Sequence, residues 1–140
     1  GENLTMRGPF GHFTFKDQAP EIWIIGTGTG LAPFYCMLSE YLSKSQTKFR
    51  LIFGVKTKGD LFYYDYFKDL EKKYPQFTYC PTLTREEWNG ATGRVQKQLG
   101  DNLQDKEFYI CGLKEMVLET QEYLLKSGVS PEHIHFERYS

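Results

Sequence analysis

The sequence predicts an α/β domain: an open parallel sheet of five strands with helices on both faces. Three observations predict it. Apolar runs of strand length recur along the chain, amphipathic stretches of helical period separate them, and a glycine-rich turn joins the first such run to the first such helix.

The strands are expected at Glu21 to Ile25, Phe49 to Val55, Phe77 to Leu83, Phe108 to Cys111 and His133 to Tyr139, in the order 3-2-1-4-5 across the sheet. Helices are expected at Leu31 to Ser43, Tyr63 to Tyr74 and Leu113 to Lys126, with a short one near Arg94 to Leu99. The last long helix shows its period plainly: Met116, Val117, Thr120, Tyr123 and Leu124 fall one, three or four apart, and Gly128 stands where a left-handed cap would end it. Residues 1 to 15 do not join the βα alternation. Leu4, Met6, Phe13 and Phe15 alternate like strand residues around a Gly-Pro-Phe-Gly turn, as the tail of a preceding unit would.

Composition bounds the function. The 140 residues are enough for one domain with a core, and 11 Phe and 10 Tyr argue against disorder. With a net charge of -1, no basic excess is available to neutralise a nucleic-acid backbone or an anionic membrane, so any anion must be met locally. No apolar run approaches the roughly 20 residues of a membrane span, and no secretory pattern opens the chain. Cys36, Cys80 and Cys111 are odd in number and form no CxxC pair, which disfavours a disulfide framework and a zinc site and points to a reducing cytoplasm. His12, His133 and His135 form no spacing that suggests a metal; the last two read as simple alternation with Ile134 and Phe136.

The stretch "IWIIGTGTGLAPF" carries the chemistry. Gly26, Gly28 and Gly30 follow the first strand, where glycine permits positive φ and close approach of a phosphate, and Thr27 and Thr29 add hydroxyls. Pro33 suits the first turn of the next helix, where its missing N–H costs nothing. A P-loop is excluded, because no Lys-Ser/Thr pair follows the glycines. A GxGxG turn also suits an S-adenosylmethionine methyltransferase, whereas a standard Rossmann dehydrogenase would show GxGxxG. Both usually place an acid after the second strand, where this chain has Lys56, Lys58 and only then Asp60.

A series of motifs carries a resemblance to one family. "GTGTGLAPF" at 26 to 34, "IFGVKTKGDLFYYDYF" at 52 to 67, "WNGATGRV" at 88 to 95, "YICGLKEMV" at 109 to 117 and "HFERYS" at 135 to 140 resemble, in order, the nicotinamide-binding half of the ferredoxin-NADP reductase superfamily. "RGPFGHF" at 7 to 13 resembles the end of the flavin-binding β-barrel that precedes it there. The resemblance therefore implies a division of the chain: 1–15 as barrel tail and junction, and 16–140 as the NAD(P)-binding domain of a longer FAD-dependent oxidoreductase.

It also implies roles for single residues. Gly26, Thr27, Gly28, Thr29, Gly30, Leu31 and Pro33 would meet the pyrophosphate and ribose, with Gly112, Leu113 and Met116 beside them. Cys111 would order the nicotinamide ring, Glu137 would lie near it, and Tyr139 would stand close to the flavin or pack on strand four. Thr84 and Arg85, helped by Lys56, resemble the hydroxyl and guanidinium with which NADPH users hold the 2'-phosphate, which favours NADPH over NADH despite Glu86 and Glu87 next door. FAD would be bound mainly by the upstream domain, and a ferredoxin-like or other redox protein, iron-sulfur or haem, would accept the electrons. A methyltransferase and a non-catalytic nucleotide-sensing module are the alternatives.

Overall fold

The computed structural model describes residues 3–8, 11–16, 21–28 and 32–139, with side chains described at 21–28 and 38–136. Strands β1 (Asn3–Gly8) and β2 (Gly11–Lys16) form an antiparallel hairpin in a sheet of their own, in register from Asn3 opposite Lys16 to Gly8 opposite Gly11. The hairpin occupies the segment that the sequence assigns to the junction.

There follow β3 (Glu21–Thr27), α1 (Ala32–Lys44), β4 (Lys48–Val55), α2 (Tyr64–Lys73), β5 (Phe77–Leu83), β6 (Ala91–Thr92), β7 (Glu107–Leu113), α3 (Lys114–Lys126) and β8 (Ile134–Tyr139). The strands from β3 onward make one parallel sheet in the order β6-β5-β4-β3-β7-β8. Its five long strands take the predicted order. The sixth, β6, adds two residues at the edge, Ala91 beside Thr82 and Thr92 beside Leu83, too few to leave a period in the sequence.

Alternation along the strands sorts the core into two layers. Ile22, Ile24, Leu51, Phe53, Tyr109 and Cys111 face Leu38, Tyr41 and Leu42 of α1 and Phe67 and Leu70 of α2. Trp23, Ile25, Ile52, Phe108 and Ile110 face the opposite way, onto Val117 and Leu124 of α3. Residues 22 to 26 and 107 to 112 are buried without interruption, as strands covered on both faces must be.

Local chemistry ends the elements. After α3, Gly128 adopts φ 91°, its N–H donates to Leu125 O at 3.1 Å, and Val129 N–H donates to Leu124 O at 3.0 Å. That is the paired closure of a Schellman motif, with buried Val129 in the same core layer as Leu124. The short helix expected at Arg94 to Leu99 is a 3-10 turn, Val95–Gln98, in which Lys97 N–H donates to Arg94 O at 3.0 Å and Leu99 N–H to Gln96 O at 3.2 Å. Buried Val95 and Leu99 lie four apart and imitate a helical face, but one turn satisfies both.

The reading of His133 and His135 needs correction. His133 ends a 3-10 turn, Pro131–His133, and β8 begins only at Ile134. Both imidazoles converge on the buried Glu107 carboxylate: His133 Nδ1 meets Oε2, and His135 Nε2 meets Oε1 at 2.8 Å. The His135 ring also stacks on Tyr109, with centroids 4.5 Å apart. A polar tie, beyond strand alternation, sets these positions.

Candidate functional site

The carboxyl ends of the strands open onto a cleft of about 880 Å³. That volume lies within the roughly 300–1,000 Å³ of small-molecule sites. From β3 come Thr27 and Gly28; the end of β4 supplies Gly54, Val55 and Lys56; Leu113 through Met116 close the side toward β7 and α3. The chain leaves β3 toward β4 on one side while β7 lies on the other, so the cleft straddles the point where the strand order reverses. Open α/β sheets bind ligands at that point, because the loops on either side diverge and leave a crevice.

Gly28 has φ 62°, and a Cβ there would meet nothing within 4 Å. The backbone conformation, and not crowding, is what asks for glycine. Gly112 is the converse case. A Cβ on it would stand 2.3 Å from Met116 Cε and 2.8 Å from Thr27 Oγ1, so the lack of a side chain lets two cleft-lining residues close over the end of β7.

The polar lining is internally tied. Asp60 Oδ2 accepts from Thr57 N–H at 3.3 Å and from Thr57 Oγ1 at 3.1 Å, which fixes the 3-10 turn Lys58–Asp60. Arg94 Nη1 bonds Glu119 Oε2 at 3.1 Å across the mouth. Thr84 extends the ladder beyond β5: its N–H donates to Val55 O at 2.9 Å, and its hydroxyl to the same oxygen at 3.4 Å. Glu86, a neighbour of the expected phosphate site, accepts from Lys58 N–H at 2.9 Å.

Of the residues singled out in the sequence, Thr27, Gly28, Lys56, Thr84, Leu113 and Met116 line this cleft. Thr29, Gly30 and Leu31 lie outside the described residues, and Pro33 is placed by its backbone as the second residue of α1. Gly26 is not in the loop but inside β3, between Phe53 and Cys111 in register. Cys111 is fully buried in the core below the rim, Gly112 is buried behind the lining, and exposed Arg85 stands outside it. The backbone register sets Glu137 beside Cys111 and Tyr139 beside Leu113. Asp60, Phe62, Arg94, Val95, Gln96, and the α3 residues Lys114, Glu115 and Glu119, also line the cleft. Several of these stand in the motifs quoted above, where they read as pattern positions and not as a surface.

Residues 24–122 match the family model of the oxidoreductase NAD-binding domain. The chain belongs to that family. This NAD-binding domain is 31% identical over 147 residues to one subunit of the Na(+)-translocating NADH-quinone reductase of Neisseria meningitidis, and 33% identical to the corresponding subunit from Shewanella denitrificans. Each match covers 96% of this chain and 36% of the relative, so the domain spans about a third of the length of these curated relatives. Its fold superposes on the Amycolatopsis cytochrome P450 reductase GcoB with a TM-score of 0.82 at 25% identity, over 94% of this chain and 42% of that one. A ferredoxin NADP+ reductase from Neisseria gonorrhoeae, solved with bound FAD and NADP, gives 0.73 at 26% identity over 86% and 56%. The domain is thus an NAD(P)-binding domain of the ferredoxin-NADP reductase superfamily, and the methyltransferase alternative gives way to it. Among the described residues no helix is long and apolar enough to cross a membrane.

Two cysteines of the NAD-binding domain differ sharply in setting. Cys80, half-buried on β5, has its thiol pKa pushed up by burial, with Glu71 adding to the rise and Arg50 and Lys68 opposing it. A raised pKa leaves less thiolate at a given pH, so Cys80 is expected to alkylate more slowly than a free cysteine at pH 8 and to accelerate as pH rises further. Buried Cys111 is expected to resist labelling until the domain unfolds. Peptide mass mapping of the native protein tests both. Labelling of Cys111 as fast as Cys80 would mean that its thiol opens onto the rim after all.

Proposed function

We propose that this domain holds a reduced nicotinamide dinucleotide for hydride transfer to FAD on a flavin domain of the same polypeptide, which then reduces a redox-protein acceptor, ferredoxin-like or haem-containing. The observation that carries the reading is the cleft across the β3/β7 switch point, with Gly28 left-handed at one wall and the Gly112 cradle at the other. The dinucleotide supplies the hydride, and the chain's own residues bind and orient it. Gly28 and the start of α1 receive the pyrophosphate, Thr27 and Met116 close over the ribose, and Leu113 packs the ring side. Cys111, Glu137 and Tyr139 form the nicotinamide end, Cys111 acting as the floor beneath the ring. The free thiol of Cys80 suits the reducing cytoplasm in which we place the protein.

Three cations, Lys56, Arg94 and Lys114, and three carboxylates, Asp60, Glu115 and Glu119, line the cleft. They leave no net charge to favour the extra phosphate of NADPH, and Arg85 stands outside the lining. We therefore read the domain as taking NADH at least as well as NADPH.

Calorimetric titration with NAD+, NADP+ and S-adenosylmethionine at one fixed ionic strength, on the chain and on Arg85→Ala, tests the reading. The expected result is binding of NAD+ at least as tight as NADP+, both unchanged in the variant, and none of S-adenosylmethionine. Loss of tight NADP+ binding in Arg85→Ala would restore the 2'-phosphate pocket that the sequence suggests; tight binding of S-adenosylmethionine alone would sink the dinucleotide reading.

A further inference from the structure

Phe62 lines the cleft and has no role in the pyrophosphate, ribose or nicotinamide contacts proposed above. It is the second residue after the 3-10 turn Lys58–Asp60, and it is 56% exposed. The other aromatics of "FYYDYF" are all accounted for by packing. Phe67 is buried, Tyr64 and Tyr66 pack against the core, and Tyr63 meets Phe67 edge-on with centroids 6.4 Å apart. Phe62 has no ring partner among the described residues.

The backbone holds it there. Tyr63 sits in the left-handed region at φ 64° and ψ 20° as the N-cap of α2, a conformation that a tyrosine adopts only when its surroundings impose it. Phe62 N–H donates to Asp60 O at 3.0 Å, and Asp60 is itself tied to Thr57, so the turn before the ring is braced. Leu61, on the other side, packs against the core. A braced turn and a left-handed residue leave the phenyl face in the cleft instead of burying it.

The position of the ring selects what it meets. The glycine turn follows β3, and the Cys111 end belongs to β7 and β8, so a dinucleotide with its pyrophosphate at Gly28 and its nicotinamide toward β7 directs its adenosine toward β4 and β5. Phe62 follows β4, on that side, in the same lining as Lys56 and Thr84. An exposed apolar ring there gains by covering a flat aromatic base, which has a π-face to stack and apolar area to bury.

We propose that Phe62 is the adenine-stacking residue of this domain, a reading that rests on the dinucleotide site proposed above. Its test uses the chain with fragments of the ligand: AMP, ADP-ribose and nicotinamide mononucleotide, titrated against Phe62→Ala, Phe62→Tyr and Phe62→Trp. Phe62→Ala is expected to weaken AMP and ADP-ribose about tenfold while leaving nicotinamide mononucleotide and thermal stability nearly unchanged, since more than half of the residue is exposed. Phe62→Tyr is expected to keep the affinity, and the new indole of Phe62→Trp to lose fluorescence as AMP binds. Equal AMP affinity in the wild type and in Phe62→Ala, with no quenching in Phe62→Trp, would overturn the stacking role and leave the site standing. No binding of AMP or ADP-ribose to the wild type would overturn the site and the stack together.

Discussion

Gly112→Val is expected to cost the domain its dinucleotide affinity, by tenfold or more, with only a modest loss of stability. A single Cβ at this position already falls 2.3 Å from Met116 Cε and 2.8 Å from Thr27 Oγ1, and valine adds two methyl groups to the same space. The two contacts differ in kind. Met116 Cε is the tip of a flexible side chain and can swing, whereas Thr27 Oγ1 is one bond from Cβ on the central strand and gives way only by a change of its restricted χ1 rotamer or a shift of β3. Overpacking of this sort costs about 1–3 kcal/mol. Because Thr27 and Met116 both line the cleft, the displacement is directed into the ligand's space. Gly112→Ala should be milder on both counts, and Gly112→Ala combined with Met116→Ala milder still in melting temperature alone, since the shorter side chain removes the closest clash but also the Met116 cover of the ribose. Titration of the three variants with NAD+, beside thermal melts, checks the ordering. Unchanged affinity in Gly112→Val would mean that the ligand does not pass over the end of β7.

The same glycine explains where the sequence misleads. It places strand ends at Ile25 and at Cys111, each time at the residue before a glycine, because glycine ordinarily weakens a strand. Both strands run two residues further, to Thr27 and Leu113. Gly26 pairs with Cys111 in the ladder between β3 and β7 and is flanked by β4 on its other side, so neighbours on both edges hold it extended. Cys111 consequently lies two residues below the strand end and is fully buried, where the shorter strand would have put it at the rim.

Strand order, the two helical faces and the Gly128 cap were legible because each rests on a local period or a single backbone demand. The cleft's outer wall was not. Arg94, Gln96 and Glu119 meet the rest through the turn after β6 and the first turns of α3, a tertiary approach that leaves no spacing in the chain. Phe62 was visible as a letter in an aromatic run, but nothing in that run says which of its rings stays outside.

Glu107→Leu is expected to destabilise the domain while leaving the cleft intact. Glu107 opens β7 opposite Ile22, its side chain is only 7% exposed, and its two carboxylate oxygens receive His133 and His135 from the chain entering β8. Strand β8 is the sheet's outer edge, with β7 its partner in the ladder, so these two ties brace the edge at its amino end. Removing the acceptor strands two ring nitrogens, though His133 at 43% and His135 at 29% exposure recover part of the loss from water. The net cost is roughly 2 kcal/mol, short of the full penalty for breaking a wholly buried pair. For a chain of this size that is a fall in Tm of roughly 5–10 °C. His135 adds its own contribution by stacking on Tyr109, so His135→Phe in the Glu107→Leu background should recover stability, an apolar ring keeping the stack and asking for no acceptor. Thermal melts of the single and double variants read this out, with NAD+ titration at low temperature as the control, because the tie lies at the opposite end of β7 from the cleft. A melting temperature unmoved in Glu107→Leu would show that the edge strand is held by its ladder alone.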